Sequence, residues 1–256
     1  MNLEEYQQMY ELEDTHWYFI GKRLIIKGIL ERYLLPRKNC RILDIGCGTG
    51  KILEMLRRFG DVCGADTSMA ALEFCRKRGM DNLCYLSMEG CLPFSDSSFD
   101  LVTAFDVLEH VNDDRGMIQE IRRVCNPGGR LLITVPAFMF LWSPHDDAVQ
   151  HLRRYTKKQL EELLKLQGLS ILQASYTNFF LFPIAVAVRW IRNAFHRKRA
   201  SSEFFIQIPG IVNRLFLSVL RLEAAMIQKI SFPFGVSIVC LAEKPDGNES
   251  SRGRVP

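Results

Sequence analysis

Hydrophobic positions between residues 40 and 136 follow two alternating patterns. Short apolar runs such as RILDI, DLVTAF and RLLITV alternate with segments in which apolar side chains recur every three or four residues. The short runs are typical of buried strands, and the recurring positions are typical of amphipathic helices. Because strands that alternate with helices build parallel sheets covered on both faces, we predict an α/β fold.

Polar and glycine residues at the ends of these segments predict where the helices begin and end. Gly60 and Gly79 are expected just beyond the first two helices of the sheet region, and Asn112 is expected to cap the helix before the fifth strand. Thr156, with Gln159 three residues later, forms a capping box for the next helix. The segments LSILQASYT and VSIVCLAEK then supply the last two strands.

The same patterns divide the chain into regions, because the connection before the last strand is far longer than an ordinary loop and the C-terminal residues lack periodicity. Two helices, Leu3–Glu13 and Ile20–Leu34, precede the sheet, with THWYF between them. We predict a helical lid at 1–39, a core at 40–177, an amphipathic insertion at 178–234, the last core strand at 235–245 and a disordered tail at 246–256.

Charge and cysteine usage restrict the partners and the location of the protein. A formal charge of +4 is small for a dedicated nucleic-acid binder, so no nucleic-acid partner is predicted. The eight cysteines form no CxxC pair, and several lie in apolar runs, as expected of free thiols in a reducing compartment. The acidic start MNLEEYQQMYELED lacks the features of a signal peptide. We therefore predict a cytoplasmic protein.

A glycine-rich loop, LDIGCGTG, follows the first strand and opens a helix. Such a loop lets a ligand approach the backbone, and the start of the helix offers free N–H groups. The third glycine of a dinucleotide fingerprint would fall at Lys51, which argues against NAD. Asp66 ends the second strand, where an acid can accept hydrogen bonds from both ribose hydroxyls. The alternative is a tight turn in an α/β protein that binds no nucleotide.

Together with GADTS, LPFSDSSFDLVTAFDVLEHV and PGGRLLITVP, this loop resembles the Rossmann-like class I methyltransferases that depend on S-adenosyl-L-methionine. The resemblance covers about residues 40–136 and implies a seven-stranded sheet. It also implies cofactor contacts. Many members hold the adenine amino group with an aspartate shortly before LPF, and because Met88 stands at that position here, Glu89 or a backbone carbonyl is expected to take over the contact. The implied cofactor-binding residues are Asp44, Gly46, Gly48, Gly50, Asp66, Glu89, Phe105 and Asp106, the last two beside the sulfonium.

The segment HDDAVQHLRRYT follows the fifth strand, at the edge of the sheet where open α/β folds bind ligands. It resembles a block found in a bacterial branch of the family that accompanies glycan and lipid pathways. We predict His145 or His151 as the general base, with Asp146 as a further catalytic residue. The predicted acceptor-binding residues are Arg153, Arg154, Tyr155 and Trp17, of which either arginine would hold an anionic group.

Simpler interpretations of these residues stay open. Asp147, Arg153 and Arg154 could form a surface ion network that pins the loop, and the aromatic segment around Trp17 could staple the N-terminal helices to the sheet. The segment DVLEHV is also similar to one in ubiquinone-pathway O-methyltransferases, where Asp106, Glu109 and His110 would bind a divalent cation. Because that segment is widespread in metal-free relatives, we predict no metal.

The insertion is the part of the sequence that indicates where the acceptor is bound. Its first apolar run is about ten residues, half of what a membrane span needs, and Pro183 interrupts it. Arg189, Arg192 and HRKR follow, with Trp190 among them, which is typical of a peripheral membrane anchor. We predict contact with the inner face of the membrane; the alternative is a helical lid or a dimer interface.

The predicted function is therefore methylation, at oxygen, of an amphipathic or lipid-linked acceptor at the membrane surface. A soluble small-molecule acceptor, an NAD-dependent oxidoreductase and a non-catalytic adaptor with this fold are the alternatives. The sequence leaves the oligomeric state open.

Overall fold

The computed structural model describes residues 3–34, 40–87, 91–194 and 208–246. The strands are β1 (Cys40–Ile45), β2 (Gly60–Asp66), β3 (Leu83–Tyr85), β4 (Phe99–Phe105), β5 (Cys125–Pro136), β6 (Ser170–Thr177) and β7 (Ser237–Glu243). The helices are α1 (Leu3–Leu12), α2 (Trp17–Leu34), α3 (Lys51–Leu56), α4 (Met69–Lys77), α5 (Asp114–Val124), α6 (Pro144–Ala148), α7 (Lys157–Leu166), α8 (Phe182–Ala194) and α9 (Gly210–Met226).

Within these described residues, seven strands form one sheet in the order β3-β2-β1-β4-β5-β7-β6. Strand β7 is antiparallel to both of its neighbours, and β1 to β5 pair in parallel. The predicted α/β fold with a seven-stranded sheet is therefore confirmed. Because β1, β2, β4 and β5 run in the same direction, their carboxyl ends meet at one edge, where such folds bind ligands.

The central strands are apolar on both faces because helices cover the sheet from both sides. In β1 and β4, adjacent residues Ile42 and Leu43, and Leu101 and Val102, are all fully buried. Strands buried on both faces read as continuous apolar runs rather than alternating patterns, which explains the short runs in the sequence. The rigid sheet holds its polar edge residues in fixed positions.

Several predicted helix ends are confirmed. Gly79 and Gly168 adopt left-handed conformations, with φ of 72° and 71°, just beyond α4 and α7. The capping box at the start of α7 is present, since the Thr156 side chain accepts from the backbone of Gln159 and the Gln159 side chain accepts from the backbone of Thr156. These local signals depend on a few neighbouring residues, and tertiary contacts leave them unchanged.

Three predicted boundaries are wrong. The cap of α5 is Asp113, whose side chain accepts a hydrogen bond from Gly116, and not Asn112. Gly60 begins β2, where it pairs with Cys40, and α3 ends four residues earlier. The aromatic residues of THWYF do not separate two helices, because α2 already begins at Trp17. In the last case the side chains gain packing partners within the helix, which outweighs their modest helix propensity.

The insertion does not stand apart from the rest of the protein, because α9 packs against α2. A Cβ added to Gly21 would lie 2.1 Å from Cδ1 of Leu220, and one added to Gly28 would lie 2.4 Å from the Gln228 side chain. Glycine at these two positions therefore lets the two helices approach closely. The N-terminal region and the insertion form one layer over the edge of the sheet.

The same packing leaves other apolar side chains of this region exposed. Leu215 on α9 and Ile230 just beyond it are 60% and 47% exposed. The residues that face the protein are Leu220, Glu223 and Ile227, all fully buried. No helix in residues 3–34, 40–87, 91–194 or 208–246 is long and apolar enough to cross a membrane.

Some predictions fall outside the described residues. These are the adenine-side residue Glu89, the basic residues from Arg197 to Arg199, and all of the predicted tail except Asp246. The division of the chain into lid, core, insertion and tail stays a prediction.

Candidate functional site

A cavity of about 1320 Å³ lies at the carboxyl ends of the parallel strands. It is bounded by the glycine loop, by α1 and α2, by the turn after β4, and by residues of α6 and α8. Pockets for one small molecule usually measure roughly 300–1,000 Å³. The cavity therefore has room for a cofactor and a second ligand side by side.

The glycine loop forms one wall of this cavity. Gly46, Gly48 and Gly50 all adopt left-handed conformations, with φ of 70°, 56° and 83°. A Cβ at Gly46 would lie 2.6 Å from a methyl group of Val107, so a larger residue would both strain the backbone and collide with the next loop. The predicted role of these glycines in exposing the backbone fits this conformation.

Asp66 lies at the end of β2, beside that loop. Its two carboxylate oxygens accept hydrogen bonds of 2.9 Å from the backbone N–H groups of Gly48 and Ser68. Burial raises the pKa of Asp66, and these backbone hydrogen bonds oppose the rise. The carboxylate is thus fixed in orientation at the cavity wall, and its remaining lone pairs can accept from ribose hydroxyls.

Asp44 lies near the end of β1, beneath the glycine loop, and is 2% exposed. Thr103 donates a 2.6 Å hydrogen bond to Oδ1 of Asp44. Burial raises the pKa of Asp44 to about 7, although the hydrogen bond from Thr103 and the charge of Lys22 oppose the rise. A positively charged ligand in the cavity would favour the ionised form of this acid.

Asp106 is the first residue after β4 and has a φ of 55°. Thr134 donates to its Oδ1 at 2.8 Å, and the Lys22 ammonium lies 2.7 Å from its Oδ2. Burial alone would raise the pKa of Asp106, but Lys22 and Thr134 hold it below its ordinary value. Asp106 is therefore an anion whose two oxygens already have partners.

Helix α1 is fastened to the glycine loop by a buried acid. The Glu13 carboxylate accepts hydrogen bonds from the Thr49 hydroxyl and, at 3.0 Å, from Arg78. Arg78 also donates to the Thr49 carbonyl at 2.9 Å. A Cβ at Gly48 would lie 3.2 Å from the end of the Met9 side chain. These contacts place α1 over the loop, as expected of a lid.

The segment HDDAVQHLRRYT contributes a buried chain of three side chains. His151 Nδ1 lies 2.7 Å from Asp146 Oδ1, and Arg154 holds the same carboxylate through bonds of 2.8 and 2.9 Å. Ser143 completes the set, since its backbone N–H donates to Asp146 at 2.8 Å. Burial would raise the pKa of Asp146, but His151 and Arg154 keep it well below its ordinary value.

This arrangement determines which nitrogen of His151 carries a proton. Because ionised Asp146 only accepts hydrogen bonds, Nδ1 of His151 must be the donor. Nε2 is then the basic nitrogen of the neutral ring, and His151 lines the cavity. His145 also lines the cavity, but burial lowers its pKa to about 4. Of the two predicted bases, His151 has the carboxylate that orients a base.

A second cluster surrounds Glu109, which is fully buried and whose two carboxyl oxygens lack hydrogen-bond partners among the described residues. Burial, together with the charge of Asp106, raises the pKa of Glu109 well above its ordinary value. Ligand atoms of Glu109, His110 and His151 all lie within 4.8 Å of one another, a set that could hold a divalent cation. The raised pKa of Glu109 opposes the ionised form that a cation would need.

The structure brings only some of the predicted acceptor residues to the cavity. Trp17 lines it and packs against Phe216 of α9 with ring centroids 5.1 Å apart. Arg154 touches it but is engaged by Asp146. Arg153 instead binds Asp114 at 3.0 Å, and the hydroxyl of buried Tyr155 donates to the same carboxylate at 2.9 Å.

The predictions for those two residues are therefore corrected, since Arg153 and Tyr155 anchor the loop to α5. The alternative network of Asp147, Arg153 and Arg154 does not form either: Arg153 pairs with Asp114, buried Arg154 pairs with Asp146, and Asp147 accepts a hydrogen bond from Trp142.

Comparison with known proteins adds the decisive observation. A family model described as "Methyltransferase domain" matches residues 43–133. This segment is therefore a methyltransferase domain, in agreement with the predicted family. The cofactor predicted for that family is S-adenosyl-L-methionine. The glycine loop, Asp44 and Asp66 all lie within the matched segment and supply a cradle of the right chemistry for that cofactor.

Curated relatives match part of the chain. The chain is 35% identical to a ubiquinone biosynthesis O-methyltransferase of Alkalilimnicola ehrlichii over 37% of this chain and 40% of that protein. It is 33% identical to a demethylmenaquinone methyltransferase of Thermotoga maritima over 47% of this chain and 50% of that protein. The matched regions thus span about half the length of these relatives or less.

Solved structures share the fold at lower identity. A phosphoethanolamine N-methyltransferase 2 of Haemonchus contortus, in complex with S-adenosyl-L-methionine, aligns with a TM-score of 0.55 and 22% identity over 85% of this chain and 51% of that one. The cyclase SpnF aligns equally well, with a TM-score of 0.55 and 22% identity over 87% and 81%. At this identity the likeness concerns the fold, which hosts reactions other than methyl transfer.

Sequence reasoning missed three residues that shape the methyltransferase domain's site. No motif surrounds any of them: Lys22 lies in α2, Thr134 lies in β5, and Glu13 directly follows α1. Each acquires its partner only when distant segments meet at the edge of the sheet. Only Glu13 had a local signal, as an acid at the end of an amphipathic helix.

Proposed function

We propose that the chain is an S-adenosylmethionine-dependent O-methyltransferase that acts on an amphipathic or lipid-linked acceptor at a membrane surface. The observation that carries the proposal is the pair of His151 and Asp146 in a cavity that also contains the glycine loop. A base oriented by a carboxylate suits an acceptor that must lose a proton, such as a hydroxyl group.

The reaction assigns a separate task to each part of the site. When bound, the cofactor supplies a methyl group on a cationic sulfur. The glycine loop and Asp66 would hold its amino-acid and ribose parts, and Asp44 would offer a counter-charge. Nε2 of His151 would take the proton of the acceptor hydroxyl as that oxygen receives the methyl group. Asp146 stabilises the resulting imidazolium, and Arg154 positions Asp146.

The acceptor half of the cavity supports an apolar substrate. It is lined by Trp17 of α2, by Leu181 just before α8, and by Ile184 and Val188 of α8. Two of the relatives are named for the biosynthesis of ubiquinone and for demethylmenaquinone, which supports a small-molecule acceptor. An apolar wall with a single oriented base favours a hydroxyl group attached to a hydrophobic body.

The membrane part of the proposal rests on exposed aromatic side chains on and beside α8, a helix whose other residues line the cavity. Trp190 is 78% exposed on α8, the helix that lines the cavity, and Phe140 is 65% exposed. The rings of Phe140 and Phe182 lie 6.4 Å apart, so the exposed patch is continuous with the start of α8. Such side chains beside a cavity mouth favour contact with a lipid surface.

A label chase tests the proposed reaction. Cells with and without the gene are fed methyl-deuterated methionine, and lipid and aqueous extracts are compared by mass spectrometry. Complementation uses the natural chain and a His151→Gln variant. We expect a gene-dependent labelled methyl group in the lipid extract that falls by about 10²- to 10⁴-fold in its rate of formation with His151→Gln.

The other outcomes select the alternatives. A labelled product in the aqueous extract alone would mean a soluble acceptor, with the insertion acting as a lid or an interface. No labelled product, with intact cofactor binding, would favour a non-catalytic adaptor. Flotation with anionic phospholipid vesicles tests the membrane contact: Trp190→Ser should reduce binding, whereas Leu166→Ser, which removes a 71% exposed apolar side chain on α7, should not.

A further inference from the structure

Helix α9 has two faces of opposite character. On the face toward the protein, Phe216 lines the cavity, and Leu220 and Glu223 are fully buried. Residues of the outward face recur every three or four positions, so they lie on one side of the helix. This outward face is exposed along the whole helix and consists of Ile211, Arg214, Leu215, Ser218, Arg221, Leu222 and Ala225. One helix thus separates the cavity from the outside of the protein.

Large apolar side chains form one edge of this outward face. Ile211, Leu215 and Leu222 are 76%, 60% and 56% exposed. Their spacing of four and seven residues aligns them within about 40° around the helix axis. Single exposed apolar side chains are common on soluble proteins, whereas an aligned row of three on one helix indicates a contact surface.

The adjacent edge of the outward face is basic. Arg214 and Arg221 are both exposed and lie two helical turns apart. Neither arginine pairs with an acid of the described residues, and the guanidinium of Arg214 donates only to the carbonyl of Gly210, at 3.4 Å. Glu223, the one acid in the sequence of α9, is buried on the opposite face. The outward face therefore carries positive charge without a neutralising acid of its own helix.

This combination of an apolar row and two arginines distinguishes between possible partners. A bilayer with anionic headgroups provides an apolar layer for the row and phosphate groups for the arginines. A second copy bound through the same face would bring the arginines of both chains together, which opposes association. A nucleic acid would satisfy the arginines but would leave the apolar row without a partner.

We propose that the outward face of α9 is a docking surface for an anionic phospholipid bilayer. The inference deepens the membrane part of the proposed function and rests on it, because it names the surface and the lipid charge. A helix with its side chains is about 10–12 Å across, so a bilayer on this face would lie about that far from Phe216 in the cavity wall. A hydrophobic acceptor would then travel only a short distance between the bilayer and the site.

Flotation of the purified full chain with vesicles of phosphatidylcholine and phosphatidylglycerol tests both edges of this surface. At about 0.1 M salt, Arg214→Gln/Arg221→Gln should weaken the affinity for vesicles by about 30-fold, because each cation near such a surface contributes about fivefold. At about 1 M salt the charges are screened, and this variant should differ little from the natural chain. Leu215→Ser/Leu222→Ser should instead bind more weakly than the natural chain at both salt concentrations.

Arg57→Gln/Arg58→Gln is the matched control, because it removes two exposed arginines just beyond α3. Its affinity for the vesicles should stay within about twofold of that of the natural chain. All of these side chains are exposed, so the variants should fold, which circular dichroism checks.

The other outcomes overturn the inference in different ways. Equal losses in the control and in Arg214→Gln/Arg221→Gln would mean that vesicles sense only the net charge. No loss in either α9 variant would leave α8 as the membrane contact. A natural chain that sediments as a dimer, and becomes monomeric in Leu215→Ser/Leu222→Ser without a change in flotation, would assign the face to a second copy. Failure of the natural chain to float would overturn the membrane part of the proposed function, whereas the label chase decides methyl transfer independently.

Discussion

Replacement of Arg154 by Met tests whether this residue positions Asp146 or binds the acceptor. Arg154 donates two hydrogen bonds to Asp146 and a third, of 3.0 Å, to the carbonyl of Ala137. The two charged side chains are 2% and 0% exposed. Because the substitution leaves a buried carboxylate without its main counter-charge, we expect the free energy of unfolding to fall by about 3–5 kcal/mol.

The neighbouring residue provides the control. Arg153 has the same charge, but its side chain is 32% exposed and its ion pair with Asp114 lies near the surface. Arg153→Met should therefore lower the free energy of unfolding by only about 0–1 kcal/mol. Urea denaturation followed by circular dichroism at neutral pH measures both losses under the same conditions.

A third and a fourth variant identify the cause of the loss. In an Asp146→Asn background the buried charge is already gone, so Arg154→Met should cost less there than in the natural chain. If Arg154→Met costs no more than Arg153→Met, the structural role is refuted. Arg154 would then return to the acceptor-binding role that the sequence suggested.

Three further predictions concern the cofactor half of the site. Asp66→Ala should weaken binding of S-adenosylmethionine by at least about 100-fold in calorimetry, because charged hydrogen bonds are lost. Asp61→Ala, at an exposed position of the same strand, should not weaken it. Equal affinities of these two variants would remove Asp66 from the site. The folded-state pKa of Asp44 is raised to about 7, so its contribution to stability is lost as pH rises from about 4 to 7. Across that window, the free energy of unfolding of Asp44→Asn should gain up to about 4 kcal/mol relative to that of the natural cofactor-free chain. Parallel curves of stability against pH would contradict this. Because burial raises the pKa of Glu109 well above its ordinary value, it opposes the ionised form that would bind a cation, so methyl transfer should survive dialysis against a chelator with less than about a twofold loss. Restoration of a lost activity by one divalent cation would assign the Glu109 cluster to a metal instead.

The parts of the site that were predictable from the sequence are those set by strand ends. The glycine loop and Asp66 each follow a recognisable apolar run, and parallel strands bring such ends together whatever the details of packing. Gly79 and Thr156 were predictable for a similar reason, since their roles depend on residues within one helical turn.

The remaining errors have a common physical origin. Arg153 and Tyr155 were expected to face a ligand because they are polar and follow a strand, yet both bind the carboxylate of Asp114. Whether a polar side chain turns toward a cavity or toward a buried partner depends on segments far away in the chain, here Asp114 for Tyr155. Lys22 was missed for the same reason, because nothing near it in sequence indicates Asp106.

The contact between α2 and α9 has a consequence for how acceptor preference can change during evolution or engineering. Gly21 and Gly28 leave space that is filled by Leu220 and Gln228, about two hundred residues further along the chain. A loop grafted from a relative between β6 and β7 would therefore meet a foreign partner surface on α2. Exchange of substrate range between relatives should succeed only when α2 and the segment between β6 and β7 are transferred together, while the rest of the catalytic domain stays unchanged.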